Sequence, residues 1–138
     1  MTTQEAGRSL LVGRGEGGFI PGPRTGGGVT IKVSSELSGG SMTVYESTRA
    51  RGDRRGVGPL AHPSFDEVFY ILEGEYEFVV EDRVLRARKG STVFIPRGAF
   101  HDFHNAGDRS SRLLTFCSPG GIEDFFQELA QFGSKSDA

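Results

Sequence analysis

An all-β fold is predicted for this 138-residue chain: a small barrel of short strands closed by a single C-terminal helix. Three features predict it. Short runs of β-forming residues recur along the chain, many of the 21 glycines fall at the breaks between those runs, and only one segment has helical periodicity. Many short strands joined by glycine-rich turns are the pattern of a barrel or sandwich.

Residues 1–9 are polar and read as a flexible tail. Leu10–Val12 suggests a short strand. The next stretch, with Gly15, Gly17, Gly18, Pro21, Gly22, Pro23 and Gly26–Gly28, is too rich in breakers for a helix and reads as a connection. Strands are then expected over Val29–Val33, Ser41–Thr48, Glu67–Leu72, Tyr76–Val80, Val84–Ala87, Thr92–Ile95, Phe100–His104 and Arg112–Cys117. The turn Glu73-Gly74-Glu75 suggests a hairpin. Pro96 has no N–H to give a ladder and marks a strand end. Ile122, Phe125, Phe126, Leu129 and Phe132 recur at helical spacing, Glu123 and Asp124 suit the positive end of the helix dipole, and Gly133 is the expected stop. The stripe reads as a lid on the barrel. Residues 10–133 then make one domain, and 134–138 a disordered tail.

Composition narrows the function. The net charge is −2 and no long basic run is present, which argues against nucleic acid as a partner. Arg49, Arg51, Arg54 and Arg55 are interrupted by Gly52 and Asp53 and read as a solvated loop. The single cysteine, Cys117, excludes an intrachain disulfide and reads as a buried thiol. No segment is apolar for long enough to span a bilayer, and no signal-peptide core opens the chain, so a cytoplasmic protein without a membrane partner is expected. The strand holding Glu67 is apolar on both faces, Phe69 and Ile71 on one and Val68, Tyr70 and Leu72 on the other. A strand of this kind needs cover on both sides, from a second sheet or from a partner in a homodimer.

Two stretches carry chemistry. In the second, Gly90 is followed after five residues by Pro96, then by Gly98, His101 and Asn105. The glycines serve tight turns, and the even spacing places His101, Phe103 and Asn105 on one strand face. In the first, Gly58 to Glu67 contains His62, and Gly74 follows Glu67 after six intervening residues. Together they resemble the two motifs of the cupin superfamily, the second at every defined position and the first incompletely. The resemblance runs from about Val29 to Phe132, including the closing helix. Within the superfamily it is most similar to small monocupins of the quercetin-dioxygenase-like and polyketide-cyclase-like kind. It implies a double-stranded β-helix, the jelly-roll barrel, with three histidines and a glutamate around a divalent metal. Carried over by position, His62, Glu67 and His101 are kept. The remaining histidine falls on Leu60, or is lost in a one-residue deletion between Leu60 and Ala61.

Two histidines and a carboxylate suit iron, zinc, manganese or nickel with positions left open. The resemblance therefore implies a small-molecule enzyme performing metal-assisted oxygenation, cyclisation or isomerisation of an aromatic or polyketide-like substrate. His62 and His101 would be ligands, and Glu67 a ligand or acid–base group. Tyr45, Phe69, Ile71, Phe78, Phe94 and Phe103 are the expected pocket lining; parity leaves open whether Tyr45 or Glu46 turns inward. The missing imidazole keeps two alternatives: metal-free acid–base catalysis by Glu67 and a histidine, and a non-catalytic ligand-binding barrel. His104 has the wrong parity to join His101 and reads as a surface or interface residue. Asp66 should face away from Glu67, and the acidic set Glu73, Glu75, Glu77 and Glu81 reads as edge protection.

Overall fold

The structure, a computed structural model, describes residues 5–22, 27–53 and 60–136, with side chains to residue 131. Arg54, Arg55, Gly58, Pro59, Pro23, Gly26 and the Phe132 side chain, all drawn on above, lie outside that description. Among the described residues, nine strands and one helix follow in order: β1 Gly18–Pro21, β2 Gly28–Val33, β3 Thr43–Arg49, β4 Asp66–Glu73, β5 Glu75–Val80, β6 Arg83–Arg88, β7 Thr92–Ile95, β8 His101–Asn105, β9 Ser111–Ser118 and α1 Ile122–Ser136. Two compact units result, one of residues 1–47 with 116–138 and one of residues 48–115.

In the first unit β1, β2 and β3 pair antiparallel in sequence order. The chain differs from expectation at its start. Leu10–Val12 is not a strand, and Leu10 and Leu11 are exposed. The first strand is instead Gly18–Pro21, in the stretch read as a connection. Ile20 supplies its buried side chain, and Pro21 is tolerated because β1 ends the sheet and has one neighbour to satisfy. Within the predicted tail, the Gly7 N–H donates to the Leu37 carbonyl.

α1 packs on β1, and Tyr45 meets Phe126 edge-on at 4.9 Å. The helix start is locked by the buried Glu123. Its Oε2 accepts the Ser35 N–H at 2.7 Å and its Oε1 accepts the Thr43 hydroxyl at 2.6 Å, while Thr43 Oγ1 accepts the Gly121 N–H. The helix does not stop at Gly133 but runs to Ser136. A helical glycine costs only about 1 kcal/mol, and a late glycine need not act as a cap.

The second unit holds two sheets. β4 pairs with β7, and β5 lies between β6 and β8, all antiparallel. Glu73-Gly74-Glu75 is therefore not a hairpin: the strands on either side of it belong to different sheets. Gly74 makes this corner with φ 80°, and a Cβ there would sit 2.8 Å from Ser111 Cβ, so both backbone and space demand glycine. Beyond the corner, the inward faces of the two strands meet in one core. Phe69, Ile71, Tyr76, Phe78, Ala87, Val93, Ile95 and Leu113 fill it, every one buried. Phe78 lies 5.2 Å from both Phe69 and Phe103, ring centre to ring centre.

The outward face of β4 and β7 is apolar and partly exposed among the described residues. Tyr70 is 40% exposed and Phe94 58%. Surface charges pair as their positions suggest: Asp66 with Arg97 at 3.1 Å, Glu75 with Arg86 and Arg88, and Glu73 with Arg112. Among the described residues, no helix is long and apolar enough to cross a membrane.

Candidate metal centre

His62, Glu67 and His101 converge within the second unit, one ligating atom from each lying within 4.8 Å of the others. Glu67 Oε1 is 3.2 Å from His101 Nε2 and 3.7 Å from His62 Nε2. Different elements deliver them. Glu67 and Phe69 occupy inward positions of β4, and the register Glu67↔Ile95 fixes that strand against β7. His101 opens β8 after the turn Pro96–Gly98. The segment carrying His62 is tied to that turn through the Gly98 N–H on the His62 carbonyl at 2.9 Å.

Leu60 lies directly across from His101. Its N–H and carbonyl exchange hydrogen bonds with those of His101, at 2.9 and 2.8 Å. Directly opposed residues of an antiparallel bridge project to the same face. An isobutyl group thus stands beside the His101 imidazole at the position that the motif gives to a third histidine. The bridge favours replacement at Leu60 over a deletion as the place of the missing imidazole.

Electrostatics separate the two imidazoles. Burial lowers the His62 pKa and outweighs the Glu67 carboxylate; the neighbouring His101 pushes the same way. Burial acts to lower His101 too, but the hydrogen bond to Glu67, the Ala99 carbonyl and the carboxylates of Glu67 and Asp102 together hold its pKa above the ordinary value. His101 Nδ1 lies 3.0 Å from the Ala99 carbonyl and must carry hydrogen to bond it. Nε2 is the atom turned to Glu67, and without a metal the short contact there needs a proton.

These residues fit a divalent cation. Bonds of about 2.0–2.2 Å to nitrogen and oxygen place neighbouring donors about 3 Å apart, close to the separations found. Ala99 fixes the tautomer that leaves His101 Nε2 as a donor, the usual support of a ligating histidine. The set is two imidazoles and one buried carboxylate, which leaves positions open.

The predicted lining divides. Phe69 is 6.4 Å from His101, centre to centre, and so adjoins the site, while Phe103 lies behind it, 5.4 Å from Phe69. Ile71 and Phe78 are fully enclosed and form filled core rather than open wall. Phe94 turns outward, because in β7 Val93 and Ile95 take the inner face and leave it the other parity. Tyr45 is buried in the first unit against Phe126, and Glu46 is half-buried. His104 lies across from Glu77, with Nε2 3.7 Å from its carboxylate. Sequence reasoning missed Phe65, whose ring stacks on His62 at 4.8 Å; its position between His62 and Glu67 was the available signal. Cys117 is a buried thiol outside any disulfide, as expected.

Residues 52–117 match the family described as "Cupin domain". The chain carries a cupin domain. The cupin is 27% identical to Protein SchB of Streptomyces halstedii over 72% of its own length and 71% of that protein. It is 31% identical to Polyketide synthase CurC of Streptomyces cyaneus, over 42% of this chain and 38% of that one. SchB apart, it spans about half or less of each curated relative it matches. A solved structure described as a predicted oxalate decarboxylase from Thermotoga maritima superposes with a TM-score of 0.63. That match covers 73% of this chain and 90% of the other at 22% identity, a likeness of fold. The fold is the double-stranded β-helix.

Replacing Leu60 by histidine is expected to add a donor beside His101 and to tighten divalent metal binding about 10-fold or more. A Co(II) titration against a competing chelator reads the change through ligand-field absorption. Unchanged affinity and spectrum would show that residue 60 does not reach the ion.

Proposed function

We propose that this cupin is a small-molecule enzyme in which His62, Glu67 and His101 hold a divalent cation and act on a flat, oxygen-bearing aromatic or polyketide-like substrate. The observation that carries this reading is the convergence of two imidazoles and a buried carboxylate beside Phe65 and Phe69. The likeness to SchB and CurC supports the substrate class. When bound, the cation supplies Lewis acidity to a substrate oxygen for oxygenation, cyclisation or isomerisation. The chain's own residues do the rest. Phe65 holds the His62 ring by stacking, Ala99 orients His101, and Phe69 backs the His101 ring from the core. Protein loaded with Fe(II) or Zn(II) and desalted is expected to keep close to one metal per chain; less than about 0.1 per chain would defeat the proposal.

Leu60 favours a second reading. With one donor replaced by an apolar group, Glu67 and His101 are also placed to move a proton on the substrate without a metal, as a carboxylate–imidazole pair at 3.2 Å. Turnover that survives exhaustive chelation but not Glu67→Gln would select it.

The exposed Tyr70 and Phe94, beside the half-buried Val68, support a homodimer in which a second copy covers β4 and β7. Phe94→Asp is expected to convert the dimer to single chains in light scattering. A parent protein that is already monomeric would remove this part of the proposal.

A further inference from the structure

One short turn bonds to all three segments that carry the centre. Pro96 to Ala99 follows β7 and is closed by the Ala99 N–H on the Pro96 carbonyl at 3.2 Å. Gly98 takes φ 85°, the left-handed region that glycine enters without strain. Each residue after the proline holds a different ligand-bearing segment. The Arg97 N–H donates to Asp66 Oδ1 at 2.8 Å, and Asp66 directly precedes Glu67 on β4. The Gly98 N–H donates to the His62 carbonyl at 2.9 Å. The Ala99 carbonyl accepts from His101 Nδ1 at 3.0 Å. Just beyond the turn, the Phe100 N–H donates to Glu81 Oε1 at 3.1 Å and the Phe100 carbonyl accepts the Glu81 N–H at 2.8 Å, so the turn is anchored on its far side too.

Successive residues of a strand point to opposite faces, so Asp66 turns away from the centre that Glu67 enters. Its carboxylate grips Arg97 instead. Besides the backbone N–H, Arg97 Nε donates to Oδ1 at 3.3 Å and Nη2 donates to Oδ2 at 3.1 Å. A guanidinium held on a carboxylate by two such bonds has a defined geometry. The side chains of Arg97 and Asp66 are 53% and 38% exposed, so the pair contributes little to the stability of the whole domain. Its location gives it another role. Where Arg97 is held, the Gly98 N–H and the Ala99 carbonyl are held with it, and these two groups meet the His62 backbone and the His101 ring.

We propose that Asp66 is a positioning residue of the centre, acting through Arg97 and the Pro96–Ala99 turn. By clamping the turn to β4 it sets where the Ala99 carbonyl meets His101 and where the Gly98 N–H meets the His62 segment. It thereby fixes both imidazoles against Glu67. Asp66 touches neither ion nor substrate. The inference rests on the reading of His62, Glu67 and His101 as the working site, and it serves the metal form and the proton-transfer form of that reading alike.

The test reads the full chain in two ways: Co(II) affinity with its ligand-field absorption, and the ring-nitrogen shifts of His101 in the metal-free protein by NMR, at a pH that leaves the imidazole neutral. In the parent, the bond to Ala99 should hold His101 as the Nδ1–H tautomer. Asp66→Ala is expected to lower Co(II) affinity about 10-fold, to shift the absorption bands and to mix the His101 tautomers, while the metal-free thermal midpoint stays close to the parent's. Asp66→Asn keeps an oxygen for the Arg97 N–H and should restore most of the affinity. Arg97→Ala keeps that backbone bond and loses only the guanidinium, so a smaller loss of about three-fold is expected; it carries the same test should Asp66→Ala not fold. Arg86→Ala, which breaks the exposed pair with Glu75, is the control and should match the parent in both readouts. A His101 pattern unchanged in Asp66→Ala would overturn the proposal, as would a loss of Co(II) affinity equal to that of Arg86→Ala. A parent that takes up no Co(II), with a His101 pattern that still depends on Asp66, would instead defeat the metal reading and leave this one standing.

Discussion

His101→Ala is expected to lower divalent metal affinity by about 100-fold or more, exceeding what loss of an outer supporting group costs. His101 is 5% exposed, donates through Nδ1 to a backbone carbonyl and presents Nε2 to Glu67 at 3.2 Å. Its backbone bonds to Leu60 do not depend on the imidazole, so the variant keeps the local register. His104→Ala is the control, because that ring lies with Glu77 and has no donor toward the centre. Thermal unfolding with and without excess Zn(II) reads both. Ligand that binds only the folded state raises the midpoint, so the parent and His104→Ala should be stabilised and His101→Ala should not. Equal zinc-induced shifts in all three proteins would remove His101 from the centre.

Phe78→Ala is expected to cost about 3–5 kcal/mol of stability, the range for deleting a buried ring from a packed core. Phe78 is 0% exposed and lies against Phe69 and Phe103, each at 5.2 Å, with Tyr76 at 6.2 Å. No neighbour can fill the void without leaving its own place. For a domain of this size the midpoint should fall by about 10 °C or more. Val84→Ala, on the adjacent strand at a position 64% exposed, should stay within about 0.5 kcal/mol of the parent. A Phe78→Ala protein as stable as the Val84→Ala protein would mean that the core is not packed around this ring. Because Phe78 touches Phe69, which touches His101, weaker metal binding should accompany the lost stability.

Where sequence reading went astray, long-range pairing was the cause. Gly74 announces a sharp turn, but a turn residue cannot say whether the next strand returns to the same sheet or enters another. That depends on which partners β4 and β5 find, β7 for one and β6 with β8 for the other. Phe94 looked like pocket lining because it is aromatic and lies in a strand. Its parity against Val93 and Ile95 was visible, but not which parity faced inward. β1 was hidden among glycines and Pro21, since an edge strand can lack the features that define a central one.

By itself, the sequence determined the all-β class, most strand positions and the C-terminal helix, and its motifs picked out the three side chains that converge at the candidate centre. Those properties depend on local periodicity and on residue types at fixed spacing. Tertiary structure alone decided that Leu60 faces His101 across a backbone bridge, that Ala99 fixes the His101 tautomer, and that Arg49 lies over Phe103. Each of these is a contact between segments brought together by sheet register, and register is set by the pairing of whole strands, not by any short stretch of chain.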